Sequence, residues 1–187
     1  MHFLSEATLQ QHGWISQLLV YIPVLLLLVV FLKATLRAAK NYGFRINTHW
    51  LGISAGIGVV SAAVIFLFGT LPSSGVPSNP SVLVALGYLL SWGLVGPFVE
   101  EFFFRGFMQT SLTEALNTRY AAAIAIAFTV VFEVLFHGSG RGWIQVTYLA
   151  VFGLAACIVY ARTKSLLGPI LIHVLGNAGS LILFWAL

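Results

Sequence analysis

The sequence predicts an all-α fold, a polytopic membrane bundle of about six transmembrane helices. Its 187 residues are 59% hydrophobic and only 7% charged, and the mean hydropathy is +0.98. A soluble domain carries roughly 25% charged residues, so this chain has too little charge to coat a surface in water. There is no internal repeat. Residues 1–187 are expected to form a single membrane domain, with N-terminal spans in 1–81 and a core in 82–187.

Six apolar stretches approach the length that crosses a bilayer. A helix of roughly 20 apolar residues covers about 30 Å of hydrocarbon, and a lone strand there would leave its backbone groups without partners. The spans are expected at approximately 15–36, 50–71, 82–107, 120–137, 143–161 and 169–187. A turn-rich loop at 72–81 and a glycine-rich loop at 138–142 separate some of them, and Pro169 suits a helix start. The first stretch is expected to be retained, because residues 1–14 lack the Lys or Arg that opens a secretory signal.

The basic residues predict the orientation. If the N-terminus lies outside the cytosol, the outer loops contain only Arg141, and the inner loops contain Lys33, Arg37, Lys40, Arg45, Arg119, Arg162 and Lys164. Because Lys and Arg accumulate in cytoplasmic loops, both termini are predicted to lie outside the cytosol. The short chain and basic loops favour a multi-pass protein of a prokaryotic plasma membrane.

Composition also narrows the classes of partner. The pI near 9.5 would suit nucleic-acid binding, but the basic residues lie between apolar runs without interleaved aromatics. No nucleic acid is therefore expected as a partner. Cys157 is the single cysteine, which excludes an intrachain disulfide and a cysteine-rich metal site, so it is expected to be a small packing residue.

Three charged residues lie inside the third predicted span. A charge at the bilayer centre costs about 2.5–3.5 kcal/mol even on the insertion scale, so each needs a partner, a wet cavity or a function. Glu101 and Arg105 are four residues apart with the acid first, the better order for a helical ion pair. Glu100 is turned about 100° away from that pair. Glu101 is therefore predicted to hold Arg105, and Glu100 to be left unpaired, facing a cavity as a general base.

Two further polar pairs have helical spacing. His173 and Asn177 share one face of the last span, and Glu133 and His137 share one face of the fourth. If Arg119 marks the turn, Glu100 lies 19 residues before it and His137 lies 18 after it, so the two are expected at similar depth. A strict topology nevertheless places His137 toward the outer side and His173 toward the inner side, so short or tilted helices must bring them together.

Each feature alone has a structural interpretation. An intramembrane His or Asn often only joins helices, with about 0.6 kcal/mol of stabilisation. Together, two carboxylates, an arginine, two histidines and an asparagine suit one catalytic constellation.

Two motifs make the sequence resemble a known family. VEEFFFRGF at 99–107 contains an EExxxR signature, and HVLGN at 173–177 contains an HxxxN signature. Both are typical of the CPBP family, which includes CAAX prenyl endopeptidases, bacteriocin-processing proteins and abortive-infection proteins. The resemblance covers about 82–187. It implies an intramembrane endopeptidase of glutamic type, in which Glu100 and His137 activate water and His173 and Asn177 donate to the oxyanion.

The middle signature of the family, FxxxH, is only half present. His137 matches, but Glu133 stands where the family has phenylalanine, with Phe132 and Phe136 nearby. Either Phe132 packs from a shifted register, or Glu133 adds a carboxylate near the site. By the resemblance, three residues are expected to be structural or supporting: Glu101, Arg105 and Glu133.

No cofactor is expected. The alternative is a zinc protease that uses Glu100, His137 and His173 as ligands. The metal-free scheme is favoured because Asn177 beside His173 suits an oxyanion donor and the HExxH motif is absent.

The expected partners are the lipid bilayer and a membrane-anchored protein or peptide substrate. A prenylated CAAX substrate is not implied; a bacteriocin-like peptide or a C-terminal sorting tail is at least as well supported. Two alternatives from other classes are a non-catalytic immunity or scaffold protein and a small transporter or proton relay.

Overall fold

The computed structural model describes residues 43–68, 76–138 and 142–187, together with residues 15, 19 and 22. Within these ranges the protein is helical and has no strand, which confirms the predicted all-α fold. Apart from three isolated positions, the predicted span at 15–36 lies outside the described residues. So do residues 69–71 at the end of the second predicted span, 72–75 of the turn-rich loop and 139–141 of the glycine-rich loop.

Five helices follow one another from residue 48 onward in the described ranges. They are α1 (Thr48–Leu67), α2 (Val82–Ala115), α3 (Ala121–Gly138), α4 (Trp143–Thr163) and α5 (Leu167–Ala186). Four of them, α1, α2, α4 and α5, are long and apolar enough to cross a membrane, and α3 is a shorter apolar helix. The protein is therefore a multi-pass membrane protein, as predicted.

Helix α2 is longer than the sequence suggested. The prediction ended this span at residue 107, but the helix continues to Ala115 and has 34 residues. Hydropathy falls at 109–114, yet no Gly or Pro occurs there, so the backbone stays helical until Leu116, which is extended (φ −84°, ψ 112°). At 1.5 Å per residue α2 is up to about 50 Å long, well beyond the hydrocarbon thickness.

Two wider turns interrupt the regular geometry of α2. The segments Leu89–Val95 and Phe102–Gln109 are π-helical and flank the α-helical segment Gly96–Glu101, which carries both glutamates. Such turns occur frequently at functional sites. The first one precedes Pro97, whose ring and missing N–H cannot be accommodated in a regular helix interior.

Helix α5 is packed closely against α1. A Cβ atom at Gly58 would lie 2.7 Å from the Cβ atom of Leu175, so only glycine allows this approach of the two backbones. This contact holds α5, which carries His173, against the rest of the bundle.

The lengths of α3 and α5 explain how residues predicted at different depths meet. His137 lies 16 residues after Ala121, the start of α3, which is about 24 Å along the helix axis. His173 lies six residues after Leu167, the start of α5, or about 9 Å. The difference between these two distances is about 15 Å. The two imidazoles can therefore meet only if the start of α3 lies about 15 Å beyond the start of α5 along the helix axes.

Candidate active site

The carboxylate of Glu100 lies between two imidazoles from different helices. Its Oε2 atom is 3.3 Å from Nε2 of His137 on α3 and 3.7 Å from Nε2 of His173 on α5. The expectation that Glu100 and His137 share one depth is confirmed, because equal residue counts on both sides of a hairpin correspond to equal helical rise. The expectation that Glu100 is unpaired is wrong: its neighbours come from α3 and α5 rather than from its own helix.

The two adjacent glutamates differ in exposure. The side chain of Glu100 is 12% exposed and that of His137 is 20% exposed, whereas the side chains of Glu101 and Arg105 are fully buried. Successive residues on a helix point in different directions. Glu100 therefore faces the more open side of the cluster, and Glu101 faces the sealed interior.

Arg105 joins two carboxylates. Its Nη1 donates to Oε1 of Glu101 at 3.1 Å, which confirms the predicted i,i+4 pair. It also binds Glu133 of α3 through two parallel hydrogen bonds of 3.0 and 2.7 Å, a strong bidentate arrangement. Its Nη2 donates further to the carbonyl oxygen of Gly153 on α4 at 3.1 Å. A single guanidinium thus ties α2, α3 and α4 together.

Glu133, in the altered middle motif, contributes a polar contact to the site. Glu133 brings its carboxylate to Arg105, which is the second of the two alternatives raised by the sequence. Aromatic packing is also present, since the rings of Phe132 and Phe136 lie 6.4 and 6.1 Å from the ring of Phe104 on α2. The position that the family fills with an aromatic side chain is therefore polar here, and neighbouring phenylalanines supply the packing.

Both imidazoles are anchored through Nδ1. His173 Nδ1 lies 3.0 Å from Oε1 of Glu101, and His137 Nδ1 lies 3.0 Å from the backbone carbonyl of Glu133. An ionised carboxylate and a carbonyl only accept hydrogen bonds, so Nδ1 is the donor in both contacts. Each ring is therefore oriented with Nε2 toward Glu100, in the way that outer partners orient histidines in metal and catalytic sites.

Asn177 lies one turn beyond His173 and contacts α2. Its Nδ2 donates to the carbonyl oxygen of Trp92 at 3.1 Å. In a π-helical turn that carbonyl would accept from the residue five positions later, which is Pro97, and proline has no N–H. Asn177 therefore satisfies a backbone acceptor, and one hydrogen of its amide group remains for another acceptor.

Two contributors were missed at the sequence level. Trp92 takes part through its backbone carbonyl, and the only sequence signal for this was the proline five residues later. Gly153 takes part through its carbonyl and its lack of a side chain, and a glycine in the middle of an apolar helix was the only hint. Cys157, by contrast, is buried as expected.

The zinc alternative requires three ligands within one group of side chains. In the part of the chain that the structure describes, no group of three or more His, Cys, Asp or Glu side chains is arranged to hold a metal ion. The expectation of no cofactor and its zinc alternative, with Glu100, His137 and His173 as ligands, both stay predictions.

Comparison with known families identifies the family of the chain. Residues 81–179 match the profile described as type II CAAX prenyl endopeptidase Rce1-like. The chain belongs to this family. The matched segment of this Rce1-like protein includes all of α2, α3 and α4 and the part of α5 that carries His173 and Asn177. Family membership and the apolar helices support a membrane protease of CAAX type. No curated protein and no solved structure matches the chain significantly.

Proposed function

We propose that this protein is an intramembrane endopeptidase that hydrolyses a peptide bond in a membrane-anchored protein or peptide, using a glutamate and a histidine to activate water. The observation that carries the proposal is the position of the Glu100 carboxylate between Nε2 of His137 and Nε2 of His173. A carboxylate in hydrogen-bond reach of a water molecule is a general base, and an adjacent imidazole can hold the same water.

In the proposed reaction, Glu100 removes a proton from water while the water oxygen attacks the carbonyl carbon of the scissile bond. The carbonyl oxygen takes the negative charge of the tetrahedral intermediate. The C–N bond then breaks, and the proton held by Glu100 passes to the leaving amine. The products are a carboxylic acid and an amine, and the balance requires only water.

His173 and Asn177 are the proposed oxyanion donors. Both lie on α5, one helical turn apart, and both are largely buried. Preorganised donors in a site of low dielectric stabilise developing charge strongly, and removing one costs on the order of 100-fold or more in rate. Asn177 would use the amide hydrogen that does not bind Trp92. His173 would donate through Nε2, with Nδ1 held by Glu101.

The proposed substrate class follows from the location of the site. The described part of the bundle exposes large apolar side chains along its helices, which suits a protein surrounded by lipid and a substrate that is itself held in the membrane. A plasma membrane with both chain termini outside the cytosol is the proposed setting. A lipid-modified C-terminal peptide and a peptide with a hydrophobic anchor are both compatible with it.

The test uses purified protein in liposomes and three fluorogenic peptides: a farnesylated peptide ending in a CAAX sequence, the same peptide without the lipid, and a peptide with an N-terminal hydrophobic anchor. We expect cleavage of at least one anchored peptide by the native protein and none by E100A. The matched control is E114A, which removes an exposed carboxylate from the same helix and should cleave normally. Equal cleavage by E100A would overturn the proposal. No cleavage of any peptide by the native protein would favour the immunity or scaffold alternative.

A further inference from the structure

Glu133 contacts the site through both its side chain and its backbone. Its carboxylate binds Arg105, and its carbonyl oxygen accepts from Nδ1 of His137. We propose that Glu133 is a positioning residue that orients both imidazoles toward Glu100. Its carboxylate has space beside Arg105 because residue 153 is a glycine. This inference rests on the proposed hydrolytic function for its kinetic consequences, but not for its structural ones.

The first path runs through side chains. Glu133 binds Nη1 and Nη2 of Arg105 at 3.0 and 2.7 Å. The same Nη1 donates to Oε1 of Glu101 at 3.1 Å, and this oxygen also lies 3.0 Å from Nδ1 of His173. In this buried series of contacts Glu133 orients Arg105, Arg105 orients Glu101, and Glu101 orients the imidazole of His173.

The charge balance of the chain gives Glu133 an electrostatic effect. Arg105 is one cation that donates hydrogen bonds to two carboxyl groups, those of Glu101 and Glu133. If Glu133 were absent, the guanidinium would interact with Glu101 alone and would neutralise it more fully. Sharing therefore leaves Glu101 a stronger acceptor for the Nδ1–H group of His173.

The second path runs through the backbone of α3. The contact from His137 to the carbonyl of Glu133 is local and spans one helical turn, at 3.0 Å. It fixes the ring relative to α3, but it does not fix the rotation of α3 relative to α2. The bidentate contact of Glu133 with Arg105 supplies that second constraint, because it holds the preceding turn of α3 to the helix that carries Glu100.

Gly153 leaves the space that the carboxylate of Glu133 occupies. A Cβ atom at position 153 would lie 2.6 Å from Oε2 and 3.3 Å from Cδ of Glu133, and 3.6 Å from Nη2 of Arg105. The first distance is shorter than real contacts allow, and the second is tighter than most of them. The carboxylate at 133 and the absence of a side chain at 153 are therefore expected to be coupled, so that changing one alters the effect of changing the other.

The coupling is tested by a double-mutant cycle of E133A and G153A in the full-length protein, with thermal unfolding in detergent as the readout. We expect G153A alone to lower the unfolding temperature clearly, and G153A added to E133A to change it little, because the colliding atoms are gone. G56A is the matched control, since a Cβ atom there meets nothing within 4 Å. An equal effect of G153A in both backgrounds would overturn the coupling.

The positioning role is tested by NMR of protein labelled with ¹⁵N-histidine, with the His173 signals assigned by comparison with H173Q. We expect E133Q to shift the Nδ1–H proton of His173 to higher field, as its hydrogen bond to Glu101 weakens, while E114Q leaves it unchanged. E133Q should also lower kcat by about tenfold, with KM nearly constant, on whichever anchored peptide the native protein cleaves. A His173 signal that does not move in folded E133Q would overturn the positioning role. The NMR result does not depend on cleavage, so failure of the proposed function would be seen separately.

Discussion

Nδ1 of His173 lies 3.0 Å from Oε1 of Glu101, joining two side chains that are 72 residues apart in the sequence. The same oxygen accepts from Nη1 of Arg105. Glu101 therefore does more than pair with the arginine, which was its expected task. It also orients an imidazole that approaches Glu100, so the two adjacent glutamates belong to one connected network.

The Arg105 network predicts an order of stabilities. R105A leaves two buried carboxylates without their cation, and breaking a buried pair in this way typically costs about 3–5 kcal/mol. E101A costs less, about 1–3 kcal/mol, because Arg105 keeps Glu133 and the carbonyl of Gly153. The free energy of unfolding, measured in detergent, checks the order, with the exposed R119A as control. A protein in which E101A is more destabilising than R105A would contradict it.

E101A is also expected to lower activity, although the sequence predicted only a structural or supporting role for Glu101. Without the carboxylate, Nδ1 of His173 loses its acceptor, and loss of such an outer partner typically costs about 10–100-fold. The measurement is kcat at a temperature where the variant is fully folded. Native kcat in folded E101A would show that the contact with His173 has no role in turnover.

His137 is expected to be required for turnover and not for folding. Its side chain is 20% exposed and lies near the end of α3, and the rings of Phe104 and Phe136 that it contacts also pack against each other, so the helix contact remains without it. H137A should reduce the cleavage rate by about 100- to 10,000-fold, the usual contribution of acid–base catalysis. H49A, at an exposed position near the start of α1, is the control and should be fully active. If H137A and H49A cleave equally fast, His137 is a packing residue only.

Part of the site could be predicted from helical geometry. The Glu101–Arg105 pair follows from i,i+4 spacing, and the proximity of Glu100 to His137 follows from counting residues around a hairpin. The contact between Arg105 and Glu133 could not be predicted, because it depends on how far α3 is rotated against α2. The contact of Asn177 with Trp92 depends on a π-helical turn that no hydropathy pattern reveals. The true end of α2 was missed because a helix can continue past the lipid into polar sequence.

Asn177 is expected to act on the transition state. N177A removes a proposed oxyanion donor, so kcat should fall by about 100-fold while KM stays nearly constant. The carbonyl of Trp92 loses its donor as well, which should lower the free energy of unfolding by about 1–3 kcal/mol. Steady-state kinetics of the folded variant separate the two effects. A higher KM with an unchanged kcat would instead place Asn177 in substrate binding.

Metal removal distinguishes the glutamic scheme from the zinc alternative. In the proposed scheme Glu100 is the base and no metal takes part, so treatment with 1,10-phenanthroline or EDTA, followed by removal of the chelator, is expected to leave the cleavage rate unchanged. The metal content of the active preparation is measured in parallel. Loss of activity that added zinc restores would establish the zinc mechanism.

The most direct test concerns Glu100 itself. E100Q keeps the size of the side chain and its place between the two imidazoles, but an amide cannot take a proton from water. In single-turnover cleavage of an anchored peptide in liposomes, we expect the rate constant of E100Q to fall by at least about 1,000-fold, with an unchanged unfolding temperature. A folded E100Q protein that cleaves within tenfold of the native rate would mean that Glu100 is not the base, and the hydrolytic mechanism would have to be abandoned.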